Sequence, residues 1–279
     1  MFFYGNHDEE TAVDGLQQWF EENPKLPNKI DRNLLWRFYK RSSKDVEETK
    51  KLVETFYSLR LKNPRLFINR DPCDVDTENM YKYLHIVPLS RLTPENYHVT
   101  CVQFHKLDSK LIHFTEDIKT FIMIQDCHFM EPDVKLDKTA AILSDGEVVI
   151  MDMRGVTMKQ VTTLIISTMS VFVKYINQAY PNRLRAVHMI NCPSYLDKVL
   201  AFLKPFMNRE LYDMMKCHTK GLESLYECIP KDMLPEEYGG NAGGMAELSL
   251  AYRDYVVKMR PLLMDPDYWT VQTSSEGQC

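Results

Sequence analysis

The chain has 279 residues, of which 44% are hydrophobic, so it can form about two globular domains with a full core. Its 34 basic and 39 acidic residues give a net charge of −5, which argues against a nucleic-acid binder whose affinity comes from phosphate neutralisation. Seven scattered cysteines without a C-x-x-C pair favour free thiols in a reducing compartment over disulfides or a metal site.

The first eighty-odd residues show no positively charged leader and are typical of short helices, and no 18 uncharged apolar residues run together anywhere in the chain. Val13, Leu16 and Phe20 share one helical face. Asp31 is a suitable cap for a second helix, and Ser42 with Asp45 indicates the start of a third that runs to about residue 62. We expect a small helical bundle.

A basic cluster lies in this bundle. It comprises Arg32, Arg37, Lys40, Arg41 and Lys44. Such a cluster fits either a contact with acidic membrane headgroups or a solvated face, and acidic residues follow it at once.

From about residue 97 the pattern becomes strand, helix, strand. Residues 98–104 alternate like a strand, a helix starts at Thr115, and VVIMDMRG at 148–155 is apolar on both faces. Apolar residues from Val161 to Ala179 then recur at helical spacing before the next strand at 186–190. This order predicts a mainly parallel sheet with right-handed crossovers.

A strand and a helix adjoin at residues 185–207, RAVHMINCPSYLDKVLAFLKPFM. Pro193 ends the strand, Ser194 is a candidate cap, and the helix that follows is apolar around most of its circumference until Pro205. Such a helix needs apolar partners on two sides. Those partners are either protein on both sides, or protein on one side and an apolar ligand on the other.

Nothing in the sequence indicates catalysis. There is no G-x-S-x-G motif, and His188 lies among apolar strand residues, where we expect a hydrogen-bonded core histidine. Asp152 at a strand end is predicted to be a structural acceptor, and the glycines of LPEEYGG at 234–240 to fix a turn. The protein is predicted not to be an enzyme.

Four segments in this order resemble the CRAL-TRIO family of lipid-binding proteins, within it the branch of alpha-tocopherol transfer protein and cellular retinaldehyde-binding protein. They are VVIMDMRG (148–155), YPNRLRAVHMINCP (180–193), FLKPFM (202–207) and LPEEYGG (234–240). The resemblance implies an N-terminal helical region at 1–90, a lipid-binding domain at 91–260 and a C-terminal extension and tail at 261–279. It further implies an α/β domain whose mainly parallel sheet floors an apolar cavity, closed by a gate helix at 194–207.

The resemblance also implies a set of ligand-binding residues. They are Ile122, Met123, Val149, Met151, Leu164, Phe172, Tyr175, Ile176, Val187, Met189, Leu200, Leu203, Phe206 and Met207. Each is as compatible with an ordinary core position as with a ligand contact. No metal and no cofactor are expected, only a bound hydrophobic lipid as cargo.

Headgroup or membrane contact is implied for Lys174, Arg183, Arg185 and Phe202. Two further positions that are basic in the tocopherol-binding branch are Glu210 and Met214 here, which puts phosphoinositide-triggered release in doubt. For Lys174 and Arg183, attraction of anionic lipid and a plain surface role both stay open.

The resulting prediction is a monomeric, cytoplasmic, peripherally membrane-associated protein that binds and transfers a hydrophobic lipid between membranes. The resemblance favours an isoprenoid such as tocopherol, retinoid or carotenoid, with phosphoinositide as a further lipid partner. The alternatives are a lipid-sensing regulatory adaptor and a phosphatidylinositol or phospholipid transfer protein. Neither a further recognisable domain nor a low-complexity tail is found, which favours the carrier over the adaptor.

Overall fold

A computed structural model describes residues 4–105, 113–157 and 166–271. Five helices come first: α1 His7–Glu22, α2 Arg32–Arg41, α3 Val46–Lys62, α4 Pro64–Phe67 and α5 Val75–Met80. Asp31 caps α2 as predicted, accepting hydrogen bonds from the backbone N–H groups of Asn33 and Leu34. The predicted start of α3 at Ser42 is wrong, because Ser42 is the C-cap of α2 and the Asp45 carboxylate caps α3.

A five-stranded sheet forms the centre of the molecule. Its strands are β1 Leu84–Pro88, β2 Tyr97–Phe104, β5 Gly146–Asp152, β6 Leu184–Ile190 and β7 Met215–Cys217, and they are neighbours in this order. Strand β1 is antiparallel to β2 and the other neighbours are parallel, whereas β3 Val134–Lys135 and β4 Ala141–Ile142 form a separate antiparallel pair. The predicted α/β fold with a mainly parallel sheet is confirmed, and the sheet already begins with β1, inside the range expected to be helical.

Helices complete the layers around the sheet. On the side of the cavity described below lie α6 Phe114–Phe129 and α7 Ile166–Gln178, then α8 Leu196–Leu203 with a 3-10 turn at Lys204–Phe206, and α9 Arg209–Asp213. The chain continues with α10 Glu223–Tyr226, 3-10 turns at Lys231–Met233 and Glu236–Tyr238, α11 Met245–Lys258, α12 Arg260–Leu263 and α13 Pro266–Trp269. Trp269 returns to the helical region, where its ring lies 5.0 Å from the Arg60 guanidinium carbon.

The segment LPEEYGG packs on the sheet face opposite the cavity. Leu234 and Tyr238 are fully buried there, in one cluster with Val99, Ile150 and Ile190 from three strands. The turn needs its last glycine, because a Cβ at Gly240 would lie 2.0 Å from the Leu234 carbonyl oxygen. The glycine run is therefore structural, as predicted.

Candidate functional site

An apolar cavity of about 310 Å³ lies on one face of the sheet. Its floor is formed by side chains that strand pairing places on the same face, as in the pairs Val102–Met151 and Met151–Met189. The floor residues are Leu84, Ile86, Val102, Phe104, Val149, Met151, Leu184, Val187, Met189 and Met215. Apolar floor residues such as Phe104 and Met151 lie toward the carboxyl ends of β2 and β5, where open α/β sheets usually place ligands.

Two helices form the walls. From α6 come Phe114, Asp117, Ile118 and Phe121, and from α7 come Met169, Phe172, Val173 and Ile176. Each set follows the helical pattern i, i+3, i+4, i+7, so each helix turns one stripe toward the cavity. Phe121 and Phe172 meet across it in an edge-to-face contact at 5.7 Å between ring centroids.

The gate helix, α8 with its 3-10 turn, borders the cavity on a further side. Val199, Leu203 and Met207 face inward and line it. Leu196 and Val199 pack on Met153 and Met189, so the helix has protein on one side and the cavity on the other. The predicted cap at Ser194 is wrong, because the N-cap is Tyr195 and no side chain caps it. Tyr195 instead donates a hydrogen bond to the Val156 carbonyl, which anchors the start of the gate.

Residues 196–207 carry no side-chain hydrogen bond or ion pair to any other residue that the structure describes. Lys204 makes only a cation–π contact with the Tyr212 ring, at 5.4 Å. Phe202 and Phe206 are half-buried and lie 6.1 Å apart between ring centroids. Among the described residues, the gate helix beyond its anchor at Tyr195 is therefore held by apolar packing and this one cation–π contact.

Eight residues of the predicted ligand-binding set lie in the lining: Val149, Met151, Phe172, Ile176, Val187, Met189, Leu203 and Met207. Leu164 lies outside the described residues. Contact of any of them with a ligand stays a prediction.

The other five predicted residues are outside the lining because of helix phase. Ile122 and Tyr175 pack in the core shared with the N-terminal helices, and Met123 packs with Met80 and Tyr83. Leu200 and Phe206 are rotated away from the inward stripe of the gate. Helix α6 is buried on nearly all sides, so hydrophobic periodicity does not reveal which of its faces meets the cavity.

Asp117 is a lining residue that sequence reasoning missed. Its side chain is buried, with 7% of the residue exposed, and its Oδ1 accepts a hydrogen bond from the Tyr83 hydroxyl. Burial raises the pKa of the Asp117 carboxyl to about 7, although the hydrogen bond from Tyr83 and the nearby His113 lower it. Asp117 lies on the same helical stripe as Phe114, Ile118 and Phe121. Their helical spacing in the sequence would have identified it as a lining residue.

The residues predicted to contact headgroups have different surroundings. Lys174 is exposed, whereas the Arg183 guanidinium donates to the Arg41 carbonyl at 2.6 and 3.0 Å and to the Ser43 hydroxyl at 2.6 Å. Arg185 donates to the Asp145 carbonyl at 2.9 Å and lines an open surface cleft of about 580 Å³. That cleft also contains Arg209, Glu210, Asp213, Met214 and Lys216, so its charges nearly balance.

The basic cluster of α2 and the following loop is paired within the protein. Each member bonds to an acidic side chain or a carbonyl: Arg32 to Glu10 and Asp14, Arg37 to Asp133, Lys40 to Asp145, Arg41 to the Asn177 carbonyl and Lys44 to Glu9. Because these basic side chains are already bonded within the protein, the pairings favour an ordinary protein surface over a binding site for membrane headgroups.

Below the cavity lies a polar layer, centred on Glu147 of the same sheet face and on Asp126 of α6. Glu147 is fully buried and accepts hydrogen bonds from Thr100 at 2.7 Å, from Gln125 at 2.9 Å and from the Tyr180 hydroxyl. Asp126 is buried between two arginines, with Arg60 bidentate at 2.7 and 2.8 Å and Arg70 on Oδ2. These contacts tie α3, α6 and the sheet together.

His98, His128 and Asp133 form a buried group whose donor atoms lie within 4.8 Å of one another. The two imidazoles are stacked at 4.0 Å between centroids, and Arg37 pairs with Asp133 at 2.9 Å. Burial raises the pKa of Asp133, but Arg37 and the histidines outweigh it and hold that pKa well below its usual range. Arg37 thus already supplies the compensating cation, and stacked rings direct their lone pairs side by side rather than toward one ion.

Two polar residues weighed for catalysis have structural partners. His188 Nδ1 lies 2.8 Å from His218 Nε2, whose other ring nitrogen lies 2.7 Å from the Ser224 hydroxyl. Asp152 accepts from the Arg154 backbone at 3.0 Å and from Asn191 at 2.9 Å. The hydrogen bonds predicted for both side chains are therefore present, and their structural roles stay predictions.

The sheet, the apolar cavity on its face and the gate define an α/β protein with an interior site for an apolar molecule. The CRAL/TRIO domain family matches residues 81–240, more than half of the chain, so the protein belongs to that family. The predicted resemblance is thereby confirmed. Residues 6–77 match a second family, described as the Pinta-like UBA domain.

Among curated proteins, the chain is similar to alpha-tocopherol transfer protein-like of Homo sapiens, with 25% identity over 223 residues. This match covers 80% of the chain and 62% of the relative, so the chain spans somewhat less than two thirds of that protein. Clavesin-1 of Rattus norvegicus is 24% identical over 127 residues, which is 46% of this chain and 34% of the relative.

Among solved structures, the crystal structure of Sfh5 matches with a TM-score of 0.59 at 15% identity. The match covers 94% of this chain and 99% of that one, and it supports the fold. No helix in the described part of the protein combines the length and the apolar character needed to cross a membrane.

Proposed function

We propose that this protein binds a hydrophobic lipid in the cavity and carries it between membranes, without catalysing a reaction on it. The observation that carries the proposal is a sheet-floored apolar cavity bordered by a helix whose residues 196–207 make no side-chain hydrogen bond or ion pair to any other described residue. Membership of the CRAL/TRIO family and similarity to an alpha-tocopherol transfer protein-like protein support it. The same similarity favours an isoprenoid such as tocopherol, a retinoid or a carotenoid as the cargo.

The closed gate matters in transit rather than at the membrane. Moving a lipid from bilayer to cavity exchanges one apolar medium for another, so burial does little to drive extraction. Exposing about twenty carbons to water would cost on the order of 15 kcal/mol at roughly 0.8 kcal/mol per methylene. We therefore propose that the gate opens only against a bilayer, with Phe202 and Phe206 entering its interface.

The test compares vesicle-to-vesicle transfer of a fluorescent lipid by the wild type and by a double variant, Phe202→Asp with Phe206→Asp. Transfer should fall at least about tenfold, because two carboxylates oppose insertion of the gate into the bilayer. Leu250→Asp is the matched control, since Leu250 is 51% exposed on α11 and lies outside the gate. Unchanged transfer by the double variant would contradict the gate mechanism.

The cargo itself is identified by mass spectrometry of organic extracts from protein purified from its own source without detergent. A retained lipid that the pure protein moves catalytically between vesicles supports the carrier. Stoichiometric binding without transfer, together with a co-purified protein partner, would instead indicate a lipid-sensing adaptor.

We further propose that anionic headgroups, including phosphoinositides, meet the protein at the cleft of Arg185, Arg209 and Lys216. Because Glu210 and Asp213 line the same cleft, the effect should be modest and should weaken as salt rises. Transfer rates to vesicles with and without a phosphoinositide, at two salt concentrations, test this contact. Equal rates in every condition would exclude it.

A further inference from the structure

Asp117 is chemically unlike the rest of the cavity wall. Among the described lining residues it carries the one carboxyl group, and none of them has a basic side chain. Tyr180 is the other lining residue with a polar side-chain group, but its hydroxyl donates to Glu147 in the polar layer below. Among the described lining residues, Asp117 is therefore the side chain that can pair with a polar group of a bound lipid.

One oxygen of Asp117 is available to such a group. Tyr83 donates to Oδ1, and within the described part of the chain no hydrogen bond reaches Oδ2. Oδ2 is not among the fully enclosed unpartnered atoms of the described residues, so it is accessible from the cavity that Asp117 lines. A carboxyl oxygen that faces an apolar cavity without a partner is less favourable than an apolar side chain at the same position.

Near neutral pH, the surroundings of Asp117 leave its carboxyl group partly protonated and partly ionised. Burial raises the pKa of the carboxyl to about 7, and Glu116 acts in the same direction. The Tyr83 hydroxyl and His113 oppose that shift. The charge of Asp76 on α5 raises the pKa of the Tyr83 hydroxyl. Neutral and ionised forms therefore coexist, and an alcohol hydroxyl can bond to either, because it both donates and accepts.

We propose that Asp117, positioned by Tyr83, is the polar anchor of the cavity and selects an uncharged lipid alcohol over the lipid carboxylate of the same skeleton. A hydroxyl at this end of the lipid pairs with Oδ2 and satisfies it. A ligand carboxylate would meet the ionised form of Asp117 at hydrogen-bond distance in an apolar cavity, where like charges repel strongly. This inference rests on the proposed function, since it assigns the chemistry of the cargo.

The test measures the affinities of two matched pairs, retinol with retinoic acid and hexadecanol with palmitate. For the wild type at pH 8, where Asp117 is mostly ionised, each alcohol should bind at least about tenfold more tightly than its acid. At pH 6 the neutral carboxyl predominates and the ratio should shrink. Asp117→Asn, which removes the charge but keeps the shape, should bring the ratio within about threefold at both pH values.

Two further variants separate the anchor from packing. Ile118→Val, on the same wall, should weaken alcohol and acid by the same factor and leave their ratio unchanged. Tyr83→Phe removes the bond to Oδ1 and should raise the pKa of Asp117, so the ratio at pH 8 should fall toward its value at pH 6. Thermal melting establishes that each variant is folded before its ratio is used.

The outcomes distinguish this inference from the function on which it depends. Ratios near one in the wild type, or the same ratio and pH dependence in Asp117→Asn, overturn the anchor while leaving lipid binding intact. A wild type that binds neither member of either pair, and yields no lipid on extraction, contradicts the inference and the proposed function together.

Discussion

The polar layer beneath the cavity and the gate above it are held by different forces. In the layer, Asp126 bonds to two buried arginines and Glu147 accepts from three side chains. In the gate, Val199 and Leu203 make only apolar contacts. Directional bonds specify one arrangement, whereas apolar surface can exchange one apolar neighbour for another, including the interior of a bilayer.

This difference assigns separate roles to two ends of one sheet face. The layer fixes α6 and the helical region on the sheet, which would keep the cavity floor and walls in place during the proposed opening of the gate. That opening would break no side-chain hydrogen bond or ion pair between residues 196–207 and the rest of the described chain. We expect changes in the layer to alter global stability and changes in the gate to alter ligand release.

The largest expected effect follows from Asp126→Ala. The substitution leaves Arg60 and Arg70 buried without their shared carboxylate, and breaking a buried ion pair on one side costs about 3–5 kcal/mol. Urea unfolding should show this loss in the free energy of unfolding. The control is Asp71→Ala, whose partner Arg260 is 50% exposed, and its cost should be below about 1 kcal/mol. Equal losses in both variants would mean that the layer does not hold the fold together.

A smaller effect is expected on acidification. Burial and the neighbouring His128 lower the pKa of His98 to about 3, against about 6.5 in the unfolded chain. A lowered histidine pKa means that the unfolded state binds the proton first, so this stabilisation is present above pH 6.5 and is lost as the pH falls toward 3. At pH 5 the loss should be about 2 kcal/mol.

Other groups titrate over the same interval, and Asp117 acts in the opposite sense, because its raised pKa stabilises the fold as the pH falls. The measurement is therefore a difference: the change in unfolding free energy from pH 7 to 5 for the wild type, minus that for His98→Gln. Groups distant from His98 cancel in this difference, whereas His128 and Asp133, which interact with His98, contribute to it. A value near zero would show that His98 is not held neutral in the layer.

Much of the fold could be predicted from the sequence because it depends on local pattern. The buried strands, the end of the gate helix before Pro205 and the cap at Asp31 follow from apolar runs and backbone chemistry. The caps at Ser42 and Ser194 were predicted wrongly. Several polar residues near the start of a helix can act as its N-cap, and tertiary contacts decide which of them does. Asp45 caps one helix, and Tyr195 turns its hydroxyl to the Val156 carbonyl instead.

The polar layer could not be predicted, because its partners are distant in sequence. Arg60 and Asp126 are 66 residues apart, and each alone resembles an ordinary charge on a helix. The cavity lining was only partly predicted for a related reason. In α6, Phe121 and Ile122 are adjacent and both apolar, yet one meets the cavity and the other packs on the helical region. Only the packing of the whole chain distinguishes them.

The smallest effect, and the sharpest test of the comparison, is expected from Val199→Ala in the gate. Val199 is 2% exposed and lines the cavity, so removing its two methyl groups weakens the closed gate by about 1.5 kcal/mol, or about tenfold in its opening equilibrium. Release of a bound fluorescent lipid to acceptor vesicles, followed by stopped flow, should accelerate by about that factor.

The free energy of unfolding in urea should fall far less than in Asp126→Ala, because the gate can separate from the sheet before the sheet and the helices packed on it unfold. An unchanged release rate with a stability loss as large as that of Asp126→Ala would show that gate and layer unfold as one unit. The gate would then unfold together with the sheet and its packed helices, and lipid would have to leave by another path.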